Sequence, residues 1–209
     1  MKNVIIIDYG MGNIKSLYNS LKFLGYNPIY YSEKQNIGSN IYILPGVGAF
    51  NQAMKLIEEK KISYELKNFV KNKNNLLLGI CLGMQLFFEE SSENLKTTGL
   101  GMIKGKVKKL SENENHILPN VGYFETNIKI DQTFSYLKKF DKQKFYYVHS
   151  YISVPIDIKN QIASSIYNGK SFCAIAVKDS NIIGTQFHPE KSSEIGLEFL
   201  NMLIKNSIN

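Results

Sequence analysis

The sequence predicts an α/β fold, in which an open and mostly parallel sheet flanked by helices carries an added antiparallel, β-rich portion. Over the first 90 residues, short apolar runs alternate with helical patterns, which is typical of a parallel sheet with crossover helices. Beyond residue 101, apolar and polar residues alternate between polar turns, which is typical of antiparallel strands. No repeat or linker separates the two parts, so we expect residues 1–209 to form a single domain.

The first part predicts four strands and four helices. Val4 to Ile7 is a β-branched run suited to a strand that is buried on both faces. Leu17, Leu21 and Leu24 share one helical face, and Gly25 is a suitable residue just beyond a helix end. We predict strands at residues 4–7, 27–31, 41–44 and 75–78. We predict helices at residues 14–24, 51–59, 63–70 and 82–89.

The second part predicts six strands and a closing helix. Asn168-Gly169 is typical of a hairpin turn, and Ser192 or Ser193 is a suitable cap for the last helix. We predict a surface loop at residues 91–101, a polar turn at 111–116, and a loop or short helix at 131–140. We predict strands at residues 102–110, 121–130, 145–154, 162–167, 172–177 and 181–187, and a helix at residues 194–205.

The composition excludes several classes of protein. With 44% hydrophobic and 21% charged residues, the chain is expected to form a sizeable core. The net charge is +7, but all 25 basic residues are lysines, so the bidentate contacts that arginine makes to nucleic acid are missing and we expect no nucleic-acid partner. No run is long enough for a membrane span, and the first is too short for a signal peptide. Two cysteines make no disulfide framework, which favours a reducing, cytoplasmic location.

The stretch around Cys81 has the spacing of a nucleophile elbow. Gly79 and Gly83 lie two residues before and after Cys81, where a predicted strand runs into a helix through one tight turn. The helix N-terminus favours a thiolate over a thiol, and the backbone N–H of Leu82 points at the same spot as a donor to an oxyanion. The alternative is that Cys81 is a buried core cysteine on an ordinary turn.

Two further turns are rich in glycine. Gly46 and Gly48 follow the third predicted strand, at the sheet edge where ligands bind in open α/β folds, and they allow a peptide plane to turn its N–H toward the neighbouring strand end. An ordinary loop is the alternative. Gly10 and Gly12 follow the first strand, but Lys15 stands where a dinucleotide-binding motif needs its third glycine, so we predict no such site.

His188 and Glu190 lie two residues apart at the end of a predicted strand, so their side chains leave it on one face. Pro189 between them stiffens the turn. A cysteine nucleophile needs a base that takes its proton and returns it to the leaving group, and the base needs a third group that orients it. A surface ion pair is the alternative for His188 and Glu190 alone. Together with Cys81, they favour a catalytic triad.

These stretches resemble the paired signatures of the class I, or triad-type, glutamine amidotransferases. The signatures lie at residues 79–85 and 186–190. The resemblance implies a flavodoxin-like fold and an enzyme that needs no metal and no cofactor. It further implies that Cys81 attacks the side-chain amide of glutamine and forms a thioester. His188 would transfer the protons, and Glu190 would orient His188.

The same resemblance implies an oxyanion hole and a glutamine site. The backbone N–H groups of Gly48 and Leu82 would hold the oxyanion. The residues implied in glutamine binding are Gly46, Gln85, His149, Ser150 and Tyr151. For His149 a rival role as catalytic base is the alternative, although one base suffices. Cys173, in an apolar strand, is expected in the core.

The resemblance also implies a partner. Four stretches are similar to the branch of the family that supplies ammonia, for histidine biosynthesis, to a HisF-like (β/α)₈-barrel cyclase subunit in a heterodimer. They lie at residues 8–13, 44–50, 145–151 and 188–192. The cyclase would form imidazole glycerol phosphate and an aminoimidazole carboxamide ribotide. The residues implied at the partner interface are Asn13, Tyr123 and Tyr146.

One segment departs from the family pattern. The family usually carries His-Met-Gly-Trp-Asn after a proline, whereas this chain keeps only Pro119 and Gly122 and has Tyr123 in place of the tryptophan. Two alternatives therefore stay open. The chain would supply ammonia to a cyclase-like partner that amidates a sugar for surface polysaccharide, or it would be a non-catalytic interaction module that keeps the fold. The intact Cys81, His188 and Glu190 favour an enzyme.

Overall fold

The computed structural model describes residues 1–31, 38–94, 96–111, 117–129 and 132–206, which form thirteen strands and five α-helices. The strands are β1 (Asn3–Ile6), β2 (Asn27–Tyr30), β3 (Ile41–Leu44), β4 (Leu76–Ile80), β5 (Phe88–Ser91), β6 (Thr97–Thr98), β7 (Ile103–Lys109), β8 (Asn120–Ile128), β9 (Lys144–His149), β10 (Tyr151–Pro155), β11 (Gln161–Tyr167), β12 (Lys170–Lys178) and β13 (Ile182–Thr185). The helices are α1 (Ile14–Phe23), α2 (Phe50–Glu59), α3 (Ile62–Phe69), α4 (Leu82–Gln85) and α5 (Ser193–Asn206). Most predicted elements are confirmed to within one or two residues.

Five parallel strands form one half of the main sheet, in the order β2-β1-β3-β4-β13. This is the strand order of flavodoxin-like folds, with β13 as the fifth strand. Leu44, Ile80 and Thr185 end three adjacent parallel strands, so the residues that follow them meet at one edge of the sheet. The predicted fold class is confirmed, and the sequence stretches that carried the predicted chemistry come together at this edge.

Four strands extend the main sheet in antiparallel fashion, in the order β12-β11-β8-β9. A second sheet contains β10, β7, β5 and β6 in that order. The chain passes from β9 in the main sheet to β10 in the second sheet at a single residue, Ser150. The two sheets therefore separate at Ser150, beside the edge described above.

Apolar side chains are buried on both faces of the main sheet. The buried apolar residues form two clusters, one on each face of the sheet. Val4 of β1 lies in the first cluster and Ile5 in the second, as expected for a strand covered on both sides. Both halves of the chain contribute to these clusters, since Phe145 packs in the first and Cys173 in the second. Among the helices within the described residues, none has the length and apolarity needed to cross a membrane.

The helix predicted at residues 82–89 is wrong beyond its first turn. Helix α4 ends at Gln85, and Phe88 begins β5, which pairs with β6 and β7. The physical reason is burial, because every residue from Leu82 to Phe88 is buried. An amphipathic helix keeps one face in water, and a run that is buried on all sides gives no such periodicity.

Two other predictions need correction. The single strand predicted at residues 145–154 is two strands in two sheets, with the break at Ser150. The surface loop predicted at residues 91–101 contains the short strand β6 and the buried Leu100. The predicted polar turn at 111–116 lies largely outside the described residues, since 112–116 are not among them.

Candidate active site

Cys81 forms the turn between β4 and α4. Its backbone has φ 54° and ψ −107°, a conformation that residues other than glycine rarely adopt and that is often found at functional sites. Gly83 allows the strand and helix to approach, because a Cβ atom there would lie 1.8 Å from the carbonyl oxygen of Leu44. A Cβ atom at Gly79 would lie 2.7 Å from the backbone of Gly83. The tight turn inferred from the glycine spacing is present.

His188 lies beside Cys81 and is oriented by Glu190. Nδ1 of His188 and Oε1 of Glu190 are 2.8 Å apart, and both side chains are almost completely buried. The other ring nitrogen, Nε2, is buried and makes no hydrogen bond to a described residue. It is therefore the nitrogen left to exchange a proton with the thiol. The structure brings the three residues of the predicted triad together.

Opposing effects set the pKa of His188. Burial lowers it, because a charged ring loses its water. The Cys81 thiolate and the Glu190 carboxylate raise it by more, to about 10. The ring is thus held as an imidazolium when the sulfur is a thiolate. A thiolate–imidazolium pair of this kind is the reactive form of a cysteine nucleophile.

Cys81 opens into a cavity of about 280 Å³ at the carboxyl edge of the parallel strands. The residues that line it are Val47, Gly48, Cys81, Leu82, Gln85, Glu93, Pro119, Val148, His149, Ser150 and Tyr151. Except for Gly46, every residue predicted to bind glutamine or the oxyanion is among them. The described residues hold no group of three or more His, Cys, Asp or Glu side chains that could bind a metal ion.

The two glycines of the loop after β3 differ in their surroundings. Gly48 is exposed at the cavity and has φ +105°, which favours glycine. Gly46 lies below the loop rather than in the cavity wall, since a Cβ atom there would be 2.5 Å from Oη of Tyr9 and 2.9 Å from Cβ of Leu82. Gly46 therefore has no room for a side chain beneath the loop, and its contact with glutamine stays a prediction.

His149 is buried and neutral. Its Nδ1 lies 3.0 Å from the carbonyl oxygen of Tyr151, and its Nε2 lies 3.0 Å from Nδ2 of Asn120. Burial lowers the pKa of His149, the hydrogen bond to Tyr151 raises it, and the nearby His188 lowers it, so that the net pKa is about 4. A base with this pKa is almost entirely unprotonated at neutral pH, and both nitrogens are already engaged. These contacts favour a supporting role over a catalytic one.

The cavity has one acidic residue that the sequence did not indicate. Glu93 lines the cavity, and its Oε2 accepts a hydrogen bond from the backbone N–H of Phe50 at 2.8 Å. Partial burial raises the pKa of Tyr151, and the carboxylate of Glu93 raises it further, so the two side chains lie close together. No motif marked Glu93, because it lies in a segment predicted to be an ordinary surface loop.

The residues predicted at a partner interface lie in two places. The rings of Tyr123 and Tyr146 are 5.6 Å apart, and Tyr123 donates a hydrogen bond to the carbonyl oxygen of Lys191 at 2.9 Å. The backbone carbonyl of Tyr146 accepts from the N–H of His188. These two tyrosines therefore lie directly beside the triad. Asn13 precedes α1 and makes no capping hydrogen bond with its side chain.

Cys173 and Ser192 lie outside the cavity. Cys173 is buried in the core, where burial raises the pKa of its thiol. Ser192, which directly precedes α5, makes two hydrogen bonds with its hydroxyl. Its hydroxyl donates to the carbonyl of His188 and accepts from the N–H of Tyr146, so it ties the triad turn to β9.

The chain belongs to the class-I glutamine amidotransferase family, whose model matches residues 5–205. Its relatives include imidazole glycerol phosphate synthase subunits. The subunit HisH of Prochlorococcus marinus is 40% identical over 195 residues, which cover 93% of this chain and 90% of that protein. The subunit HisH of Sulfolobus acidocaldarius is 38% identical over 94% of both chains. The subunit HisH 2 of Vibrio vulnificus is 41% identical and covers 96% of this chain and 93% of that protein.

Solved structures share the fold at much lower identity. PurLQS from Thermotoga maritima has a TM-score of 0.75 at 20% identity, over 100% of this chain and 98% of that chain. The glutaminase domain of Trypanosoma brucei CTPS, with bound acivicin, has a TM-score of 0.62 at 11% identity, over 98% of this chain and 94% of that chain. These similarities establish the fold alone.

Proposed function

We propose that this chain is the glutaminase subunit of an imidazole glycerol phosphate synthase. It acts as a single glutamine amidotransferase domain in the cytoplasm, hydrolyses glutamine to glutamate and ammonia, and delivers the ammonia to a HisF-like (β/α)₈-barrel cyclase. The observation that carries the proposal is Cys81 beside His188 and Glu190 at a cavity, in a chain about 40% identical to HisH subunits over nearly its whole length.

The proposed reaction has two halves. In the first, Sγ of Cys81 attacks the side-chain amide carbon of glutamine, and His188 holds the thiol proton. The C–N bond then breaks as His188 gives that proton to the leaving nitrogen, which departs as ammonia. In the second half, water attacks the thioester while His188 takes its proton. The C–S bond breaks, glutamate leaves, and the proton returns to the sulfur.

Backbone groups stabilise the charge that develops on the amide oxygen. The N–H of Leu82 begins α4 directly after the nucleophile, and Gly48 faces the same cavity from the opposite loop. Two such donors act on an oxyanion at the cavity, where one donor is typically worth roughly 10² to 10³ in rate. We assign the oxyanion hole to these two residues.

The cavity suits free glutamine. Glu93 supplies a negative charge for the α-ammonium group, and Gln85 is a buried amide at the cavity wall. Ser150 and Tyr151 contribute main chain where the two sheets separate. We propose that these residues hold the substrate while Cys81 meets its amide carbon.

Complementation tests the proposal. A histidine auxotroph that lacks its own HisH-type subunit should grow without histidine when it expresses this chain, and Cys81→Ser should not support growth. Formation of imidazole glycerol phosphate from glutamine by the purified chain with a co-expressed cyclase subunit gives the same test in vitro. Failure to complement despite active glutamine hydrolysis would overturn the acceptor but not the glutaminase chemistry.

A second acceptor is favoured by one feature. The exposed Tyr123 and Val121, in the segment that departs from the family pattern, lie on β8 beside the triad. An ammonia donor to a cyclase-like partner that amidates a sugar would need the same catalytic cavity and a different partner face. Complementation of a strain that lacks such a sugar-amidating system would distinguish this function from histidine biosynthesis.

A further inference from the structure

A row of buried hydrogen bonds ends on the sulfur of Cys81. Nε2 of Gln186 lies 3.6 Å from Sγ. Oε1 of Gln186 lies 3.1 Å from Nε2 of Gln85, which also lies 2.9 Å from the carbonyl oxygen of Tyr151. Gln186 is fully buried and Gln85 almost so. Neither amide therefore has water as an alternative partner.

The carbonyl of Tyr151 fixes the direction of this row. A carbonyl oxygen only accepts hydrogen bonds, so the Gln85 atom next to it must be the NH₂ group. That NH₂ group also faces Gln186, which must present its oxygen and therefore directs its own NH₂ group at Sγ. The sulfur is thus forced to be an acceptor on this side.

The same carbonyl fixes two more side chains. Nδ1 of His149 lies 3.0 Å from the Tyr151 oxygen and must carry a proton, which leaves Nε2 as an acceptor in the neutral ring. Nε2 then receives a hydrogen bond from Nδ2 of Asn120, whose own oxygen is buried and makes no hydrogen bond to a described residue. The carbonyl of Tyr151 thus accepts from both Gln85 and His149.

We propose that Gln186 is a further catalytic residue, whose amide NH₂ donates a hydrogen bond to the Cys81 thiolate and is held in that direction by Gln85. A donor of this kind stabilises the charged form of its partner. The carbonyl of Val148, 3.8 Å from Sγ, acts in the opposite sense because it can only accept a hydrogen bond from the neutral thiol, which it stabilises. The proposal rests on the glutaminase function and deepens it.

Gln186 stabilises the thiolate at two points in the reaction. Gln186 stabilises the thiolate that attacks glutamine, and it stabilises the thiolate again when the C–S bond of the thioester breaks. No proton passes to or from Gln186, since both protons of its NH₂ group stay on nitrogen. The proton transfers remain with His188.

Alkylation of Cys81 by iodoacetamide, as a function of pH, tests the proposal without glutamine and without a partner. Gln186→Met keeps the side-chain length and removes the donor. We expect the pH of half-maximal alkylation to rise by about one unit or more, because a hydrogen bond to a charged group is lost. Peptide mass spectrometry separates Cys81 from the buried Cys173. An unchanged midpoint in folded Gln186→Met protein would overturn the proposal.

Two more variants make the result specific. Thr185→Val is the matched control, because Thr185 is the fully buried residue just before Gln186 and its hydroxyl donates to the carbonyl of Phe187 rather than to the sulfur. Its midpoint should match that of the wild-type chain, and an equal rise in this control would also overturn the proposal. Gln85→Met leaves Gln186 in position but frees its amide to rotate. Gln85→Met should raise the pH of half-maximal alkylation by less than Gln186→Met does. If Gln186→Met does not fold, the presence or absence of this rise tests the proposal.

This test is independent of the acceptor. If the chain failed to complement a histidine auxotroph but the alkylation midpoint rose as expected, Gln186 would still act on the sulfur of a glutaminase with another partner. If the chain complemented and the midpoint did not move, the assignment of Gln186 alone would be wrong.

Discussion

At the scale of single residues, the site depends on a sulfur whose environment differs from that of the other cysteine. Cys81 lies at a strained turn on a cavity, and Cys173 lies in the core. Cys81→Ser should abolish glutamine hydrolysis while the fold is kept, because a hydroxyl at this site lacks the acidity of a thiol. Ammonia release measures the loss, and circular dichroism checks the fold.

An affinity label gives a control for that prediction. An electrophilic glutamine analogue should modify Cys81 and spare Cys173. Equal modification of both cysteines, or normal turnover by Cys81→Ser, would contradict the thioester mechanism.

The base and its orienting carboxylate should differ in importance. His188→Ala should lower kcat by about 10² to 10⁴, the usual worth of general acid–base catalysis. Glu190→Gln should cost less, because the amide still contacts Nδ1 and only the orientation and charge support are weakened. His149→Ala serves as the comparison in a steady-state assay. A loss in kcat at His149 as large as that at His188 would reverse our assignment of the two histidines.

The lowered pKa of His149 should also make the free energy of unfolding depend on pH. Its pKa is about 4 in the folded chain and about 6.5 when unfolded. Between these values the unfolded chain binds a proton that the folded chain does not. The free energy of unfolding therefore falls as the pH is lowered from 6.5 to 4, by about 3 kcal/mol in total.

Urea unfolding at several pH values measures this effect, with His149→Gln as the matched variant. The raised pKa of His188 acts in a separate window, since it contributes stability that is lost as the pH rises from 6.5 toward 10. The pH ranges in which the two histidines affect stability therefore do not overlap. An equally steep loss of stability below pH 6.5 in His149→Gln would show that another group is responsible.

At the scale of the elements, the contact between α4 and β3 is the tightest constraint on the site. A Cβ atom at Gly83 would lie 1.8 Å from the carbonyl oxygen of Leu44, which is backbone and cannot move aside cheaply. Gly83→Ala should therefore destabilise the fold by about 3 kcal/mol or more. Gly38→Ala is the matched control, since a Cβ atom there meets no described atom within 4 Å. Similar midpoints of thermal unfolding for both variants would refute the argument.

The same contact shows what the sequence could predict. The glycine spacing around Cys81 predicted the turn, because only a residue without Cβ fits where a helix meets a strand end. The length of α4 was not predictable in this way. Residues 82–88 are all buried, so the polar and apolar pattern that separates a helix from a strand is absent there. Pairing with β7, which is distant in the chain, decides that β5 begins at Phe88.

Site residues could be predicted where they lie in a continuous sequence motif. They could not be predicted where the fold brings distant residues together. Cys81, His188 and Glu190 each lie in a short stretch with its own chemistry. Glu93 carries no local signal of a role, and Gln186 lies in the signature at residues 186–190 without a role of its own in the pattern. Glu93 reaches the cavity because its loop packs on the start of α2, and Gln186 reaches the sulfur because β13 lies next to β4.

At the scale of the whole molecule, hydrolysis of glutamine without an acceptor for the ammonia wastes glutamine. A coupled glutaminase should therefore have low activity in the absence of its partner. The exposed Gly48, at φ +105°, gives the loop after β3 more than one accessible backbone state. We expect the isolated chain to favour a state without the second oxyanion donor, and the cyclase with its ligand to shift the population. Activation should then reach at least about 10².

Glutaminase assays of the chain alone, with the cyclase, and with the cyclase and its ligand measure this activation. Gly48→Ala should flatten the response, because a Cβ atom there would meet Met11 at 2.6 Å and disfavours the observed φ. Full activity of the lone chain, with no rise on adding the cyclase, would rule out the switch.

The crossing of the chain from the main sheet to the second sheet at Ser150 has a thermodynamic consequence. His149 belongs to one sheet, Tyr151 to the other, and both line the cavity. We therefore expect occupancy of the cavity to be coupled to the angle between the sheets, and such coupling is reciprocal. A partner that changes the affinity for glutamine through this angle has its own affinity changed by glutamine by the same factor. Glutamine, in turn, should slow the amide hydrogen exchange of β7 and β10, although neither strand holds a catalytic residue.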